Sequence, residues 1–394
     1  MIELLFLLLP IAAAYGWYMG YRNAKKDQEE ISNKLSRDYV AGMNLLLSNQ
    51  TEKAVDLFLA MLEKQETENH IEQHSQFEAE LTLGNLFRSR GEVDRALRIH
   101  QNLVRSPNYS FEQKLLAKQQ LAKDFMSVGF YDRAENLYIL LVDEPHFAEN
   151  ALQQLALIYQ KTKEWKKAIN VAEKLAKISP QTDNIALAQY YCELAKTLTD
   201  HQEKQKWLQQ ALDISPSCVR ASLLLAELLV EKKEYEKAII LLENVLNQDP
   251  DYINEALPLL KQSYQCSFQS ENFELFLIKA AKSHKNSAVD LALAELIAEK
   301  DSISAAQNKI YQQLSQNPSL FLFHRFIQYQ IAEAEPGQAK ESLMLLHKMV
   351  GERIKQAFKY RCIHCGYQSN KLIWNCPSCR HWQSVKPIRG TEDQ

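Results

Sequence analysis

A unit of 34 residues recurs along most of this chain, and no other feature limits the possible folds as tightly. Its clearest copy is SCVRASLLLAELLVEKKEYEKAIILLENVLNQDP, residues 217–250. Two apolar stripes at helical spacing, Leu224-Leu225-Leu228-Leu229 and Ala238-Leu241-Leu242-Val245-Leu246, are parted by the polar turn Glu231-Lys232-Lys233-Glu234, and Pro250 closes the unit. The pattern predicts a helix hairpin. Ala226 and Ala238 fall where its helices would cross, and larger side chains there would push the backbones apart. One hairpin buries only part of its apolar surface, so such units must stack on neighbours.

The neighbours are present. Closing prolines recur at Pro180, Pro216, Pro250 and Pro318, and second-helix alanines at Ala134, Ala168, Ala238 and Ala306. The segments Leu83-Gly84-Phe87-Ala96, Leu121-Ala122-Phe125-Ala134 and Leu155-Ala156-Tyr159-Ala168-Pro180 repeat one motif, which Gly42-Ala54-Phe58 begins. This motif resembles the tetratricopeptide repeat. Copies near 183–216 and 253–286 fit poorly, since Lys204 and Asn272 stand in the alanine slot. With only 10 Gly and 11 Pro in 394 residues there is little turn chemistry for an all-β fold.

Residues 4–21, LLFLLLPIAAAYGWYMGY, carry no charge and as a helix would be about 27 Å long, close to the thickness of a hydrocarbon core. Trp17, Tyr18 and Tyr21 suit an aromatic belt, and Arg22, Lys25 and Lys26 follow at once. The basic flank orients the rest of the chain into the cytoplasm. A cleaved signal ending at Ala12-Ala13-Ala14 would need a basic leading region, and Glu3 stands there instead. The expected plan is a transmembrane anchor at 1–21, a juxtamembrane linker at 22–34, a helical solenoid at 35–350 and a metal-binding domain at 351–394. His70 and His74 share a possible helix face, but with no third ligand nearby they read as part of a solvated acidic stretch.

Stacked hairpins usually hold a partner segment on the face lined by their first helices. The repeat pattern puts Asn85, Arg88, Gln119, Lys123, Gln153, Lys161, Arg220 and Glu227 on that face as partner-binding candidates.

Near the C-terminus the chain reads YRCIHCGYQSNKLIWNCPSCRHW. Cys362, Cys365, Cys376 and Cys379 form two C-x2-C pairs, each able to turn two sulfurs toward one ion, and four thiolates complete a tetrahedral site. Gly366 allows the positive φ of such a knuckle. The pairs resemble those of rubredoxin, except that Arg380 stands where a glycine is usual. One structural zinc is the expected cofactor, and iron fits the same ligands. With four protein ligands no position remains for a catalytic water, and no nucleophile elbow, Walker loop or H-E-x-x-H motif occurs, so the chain does not read as an enzyme. Of the other three cysteines, Cys192, Cys218 and Cys266, each reads as a small core residue.

The order of parts makes an all-α protein: a tetratricopeptide-repeat superhelical solenoid with a small rubredoxin-like zinc ribbon and one N-terminal transmembrane helix. It resembles the lipopolysaccharide assembly protein B family over the whole chain. The resemblance implies an inner-membrane adaptor facing the cytoplasm, which restrains lipopolysaccharide synthesis by helping the membrane protease FtsH degrade the deacetylase of the committed lipid A step. Lipopolysaccharide or its transport machinery is a further partner in that picture, and nucleic acid is not. Two other readings stay open on the residues alone. Between Gly351 and Gly390 eight Lys or Arg face a single acid, so the ribbon could bind nucleic acid with Tyr367, Trp374 and Trp382 as stacking platforms. A rubredoxin-type electron carrier is the other.

A further expectation concerns the C-terminal end. The apolar residues Leu343, Leu346 and Met349 of the last hairpin have no following hairpin to cover them, and a module of about 40 residues has little core of its own. The ribbon should therefore dock on the repeats, as their C-terminal cap.

Overall fold

The computed structural model describes residues 15, 17–20, 38–48, 50–67, 73–179, 184–284, 286–316 and 318–388. Most of the proposed membrane anchor and linker, Pro180 and His70 lie outside them. Among the described residues no helix is long and apolar enough to cross a membrane. The chain forms two compact units, residues 1–162 and 163–394.

The first unit holds α1 (38–47), α2 (Thr51–Thr67), α3 (Gln73–Ser89), α4 (Val93–Arg105), α5 (Phe111–Ser127), α6 (Tyr131–Val142) and α7 (Pro145–Thr162). Each helix packs on the next, as stacked hairpins require. Gly84 shows why the repeat wants a small residue early in its first helix. A Cβ there would stand 2.4 Å from Nε2 of His100 on α4, too close for any real contact.

The turns explain where the helices stop. After α3, the N–H of Glu92 donates to Phe87 O and that of Gly91 to Arg88 O, and Gly91 has φ +82°. After α5, Phe130 donates to Phe125 O and Gly129 to Met126 O, with Gly129 at φ +81°. These are Schellman caps, which satisfy the last carbonyls through one left-handed residue. The second unit builds the same cap from other residues: Lys233 at φ 64° and Phe268 at φ 58° take the glycine's place. The polar turn at 231–234 is thus a helix stop in which a lysine carries the strain.

That unit contains α8 (Trp165–Ile178), α9 (Ile185–Thr197), α10 (His201–Ile214), α11 (Val219–Glu231), α12 (Tyr235–Glu243), its short continuation α13 (Val245–Gln248), α14 (Ile253–Cys266), α15 (Ser270–Ser283), α16 (Ser287–Lys300), α17 (Ile303–Gln316), α18 (Leu320–Glu333) and α19 (Gln338–Gln356). Ala226 and Ala238 are fully buried at the α11–α12 crossing. The two copies that fit the motif poorly still form hairpins, α9–α10 and α14–α15. Leu208 with Ala211, and Phe273, Leu277 and Ala280, bury enough surface to close them without an alanine at Lys204 or Asn272. Cys192 and Cys218 are buried as expected, but Cys266 is exposed, because it ends α14 beside the turn.

The ribbon is a three-stranded antiparallel sheet in the order β2-β1-β3, with β1 Tyr360–Cys362, β2 Gln368–Ser369 and β3 Val385–Pro387. It docks on the repeats, though not as a cap on the last hairpin: Met344, Leu345 and Met349 of α19 stay exposed. Its partners are earlier helices, for reasons given next.

Candidate metal centre

Two turns bring the four cysteines together. In the first, the Gly366 N–H donates to Cys362 O at 3.0 Å with Gly366 at φ +75°. In the second, the Arg380 N–H donates to Cys376 O at 2.8 Å, and Arg380 has φ 61°. The knuckle therefore keeps its geometry with an arginine in the glycine position. Asn375 Nδ2 steadies it by donating to Arg380 O at 3.0 Å.

The four Sγ atoms lie within 4.8 Å of one another, with Cys362–Cys379 and Cys365–Cys376 both at 3.6 Å. Ligands about 2.3 Å from one tetrahedral ion stand about 3.8 Å apart, so the donor set fits a divalent ion held by sulfur. Among the described residues this is the one such cluster. Burial pushes the Cys362 thiol up, but the Ser384 hydroxyl and the amides of Cys365 and His364 outweigh it and bring it down to about 6. The Tyr367 amide lowers the Cys365 thiol. Donors aimed at sulfur favour the thiolate, the form that binds metal.

The back of the ribbon meets α9, α11 and the start of α14. Tyr190 of α9 meets Trp382 edge-on with ring centroids 5.9 Å apart. Gln383 of the ribbon donates to Ser217 O at 3.2 Å and accepts from Gln189 Nε2 at 3.4 Å. Lys386 Nζ lies 2.8 Å from both Asp249 and Asp251, and the Tyr360 hydroxyl donates to Glu255 at 2.7 Å. The repeats here thus offer aromatic rings and acids to a ribbon that is basic and rich in tryptophan. Helix α19 contains no Phe, Tyr or Trp, so it supplies no ring for the tryptophans of the ribbon to pack on. Trp374 and Trp382, candidate stacking platforms for nucleic acid, are engaged within the chain, on Tyr252 and Tyr190.

Residues 360–387 match the family described as rubredoxin metal binding domain. Tetratricopeptide repeat families match 205–262, and 81–108 with 151–186. A Haemophilus influenzae protein named lipopolysaccharide assembly protein B is 70% identical over 394 residues, covering 100% of both chains. The chain belongs to the lipopolysaccharide assembly protein B family. The lipopolysaccharide assembly protein B of Escherichia coli K12 is 47% identical over 395 residues, again with 100% of both chains covered. A solved tetratricopeptide repeat protein from Parabacteroides merdae covers 67% of this chain and 98% of its own, at 14% identity and a TM-score of 0.37.

In this family member the residues that the repeat pattern puts on one face as partner-binding candidates divide. In the first unit Arg88 is held by Asp124 Oδ1 at 2.9 Å, Asn85 Oδ1 at 2.7 Å and Gln120 Oε1 at 2.9 Å. Asp124, fully buried, also meets His100 Nδ1 at 2.5 Å. Gln119 donates to Asn150 at 3.0 Å and Lys161 to the Tyr131 hydroxyl at 3.1 Å, while Gln153 is exposed. Burial, then Arg88, lowers the Lys123 ammonium. In the second unit Arg220 is buried, donates to Gln189 at 3.1 Å and Glu193 at 2.8 Å, and lies over Trp374. Glu227 is exposed, yet burial of its carboxyl raises its pKa.

Sequence reasoning missed the docking residues Gln189, Tyr190, Asp249, Asp251 and Tyr252. A signal was available in the acids around Pro250, opposite in charge to the ribbon. It also missed His100 and Asp124, whose pairing joins positions on separate helices.

Proposed function

We propose that this protein is a membrane-anchored adaptor that restrains lipopolysaccharide synthesis by presenting the lipid A deacetylase to the membrane protease FtsH. The observation that carries the reading is full-length similarity to relatives named lipopolysaccharide assembly protein B. The parts suit the task. Residues 1–21 hold the chain in the inner membrane with its bulk in the cytoplasm, and 22–34 lead into the solenoid at 35–350. Asn85, Arg88, Gln119, Lys123, Gln153, Lys161 and Glu227 face partners, while Arg220 supports the ribbon.

Zinc, held by Cys362, Cys365, Cys376 and Cys379 in the domain at 351–394, acts as a crosslink and fixes the ribbon's fold, leaving no position open for catalysis. Lipopolysaccharide or its transport machinery is a further contact at the membrane.

Crosslinking the full-length protein in native membranes tests the reading. Recovery of the protease and the deacetylase together is the expected result, with a longer deacetylase half-life when the protein is depleted. An unchanged half-life would overturn the proposal. Protease added to intact spheroplasts should leave the repeats uncut.

A further inference from the structure

Helix α19 differs from the rest of the second unit. Among the described residues it buries no side chain, whereas every other helix of that unit buries at least one. It packs on α18, with Leu343, His347, Val350 and Ile354 half-buried. The opposite side carries a row spaced four residues apart, Glu341, Leu345, Met349 and Arg353, all of them exposed. Leu345 is 61% and Met349 60% exposed, and Leu346 adjoins them. Contiguous apolar strips left open to water mark contact sites.

The order of charges along the row selects what covers it. From its N-terminal end the row reads acidic, apolar, apolar, basic, and neither the Glu341 carboxylate nor the Arg353 guanidinium has an ion-pair partner among the described residues. Rows of this i, i+4 kind lie side by side when two helices cross at about −50°, the commonest packing class. Set antiparallel across a two-fold axis, the row is its own complement. Leu345 then meets Met349 of the second copy, Glu341 meets Arg353 of the second copy, and symmetry makes each contact twice. A parallel pairing would put acid on acid and base on base. A lipid surface would cover Leu345 and Met349 but strand the carboxylate of Glu341. We propose that α19 is the interface of a two-fold homodimer, its outer row packed antiparallel on the same row of a second copy. One helix pair gives a contact at the small end of specific interfaces, so the dimer is a reversible one. It follows from α19 alone and does not rest on the adaptor reading.

The test follows the full chain in a mild detergent by sedimentation velocity over a wide range of concentration. A reversible monomer–dimer equilibrium with no larger species is expected. Glu341→Arg and Arg353→Glu should each weaken the dimer about tenfold, because two symmetric contacts turn repulsive. The double variant carrying both changes should regain the parental affinity, which requires that these two positions face each other. Leu345→Glu should abolish the dimer. All these side chains are exposed, so helix content and bound metal should stay at the parental level. In native membranes, benzoylphenylalanine in place of Leu346 should photocrosslink two differently tagged copies. A monomer at every concentration, a dimer that survives Leu345→Glu, a double variant as weak as the single ones, or crosslinks only to lipid or to another protein would each overturn the proposal. A dimer that recovers no deacetylase from membranes would count against the adaptor reading and leave this interface standing.

Discussion

Tyr252 stacks on Trp374 with ring centroids 5.2 Å apart and planes inclined by 26°, and its hydroxyl is shared between the carbonyls of Gln383 and Val385 at 3.2 and 3.1 Å. One fully buried side chain of the repeats thus supplies a ring and a donor to the ribbon. Tyr252→Phe keeps the ring and leaves two carbonyls short of a donor, a loss of about 1–2 kcal/mol. Tyr252→Ala removes both and should cost about 3–5 kcal/mol. Limited proteolysis within residues 360–388 checks this: the alanine variant should be cut and the phenylalanine variant largely resist. Equal resistance in both would show that the ribbon does not depend on this contact.

Metal removal should be felt where the ribbon sits. With a chelator, or in Cys365→Ser, hydrogen exchange should rise across 360–388 and at its docking surface, around Gln189, Arg220 and Tyr252, since three ligands leave a structural site incomplete. The exposed stretch of α19 around Met344 and Met349 should change less. Equal loss of protection along α19 would place the ribbon's support there instead.

Arg380 holds a left-handed conformation at φ 61° that costs a residue with a Cβ about 1–2 kcal/mol. Arg380→Gly should recover part of that, about 1 kcal/mol, and tighten metal retention. Competition with a chromogenic chelator measures it, and faster metal loss in the glycine variant would contradict the strain argument.

Asp290, on α16, is 5% exposed, and burial raises its carboxyl to about 6 from the usual 3.8, against a smaller opposing pull from Lys309. The folded state binds this proton more tightly than the unfolded one. Its contribution is therefore fully present below about pH 3.8 and lost as pH rises through about 6. Asp290→Asn should stabilise the second unit at pH 7.5 by roughly 1–3 kcal/mol and flatten its pH dependence between 4 and 6. Denaturant midpoints at several pH values decide it, and a variant less stable than the parent at pH 7.5 would reverse the sign.

Much of the architecture is legible along the chain because its determinants are local. Helix hairpins follow from apolar spacing within one repeat, so Ala226 and Ala238 could be placed at a crossing from the pattern alone. The metal knuckles follow from C-x2-C spacing and Gly366, and the second knuckle tolerates Arg380 because its turn is anchored by its own backbone hydrogen bond. Full-length similarity then places the chain in its family. What the tertiary structure decided rests on residues distant in sequence. Tyr252 and Trp374, or Asp249 and Lys386, carry no periodic signature linking them, so the docking site on α9, α11 and α14 could not be read from either end alone. The unmet surface of α19 suggested a cap, because local reasoning counts apolar area. The ribbon instead sits where aromatic faces and carboxylates match its tryptophans and Lys386, a complementarity that exists only once both surfaces have folded.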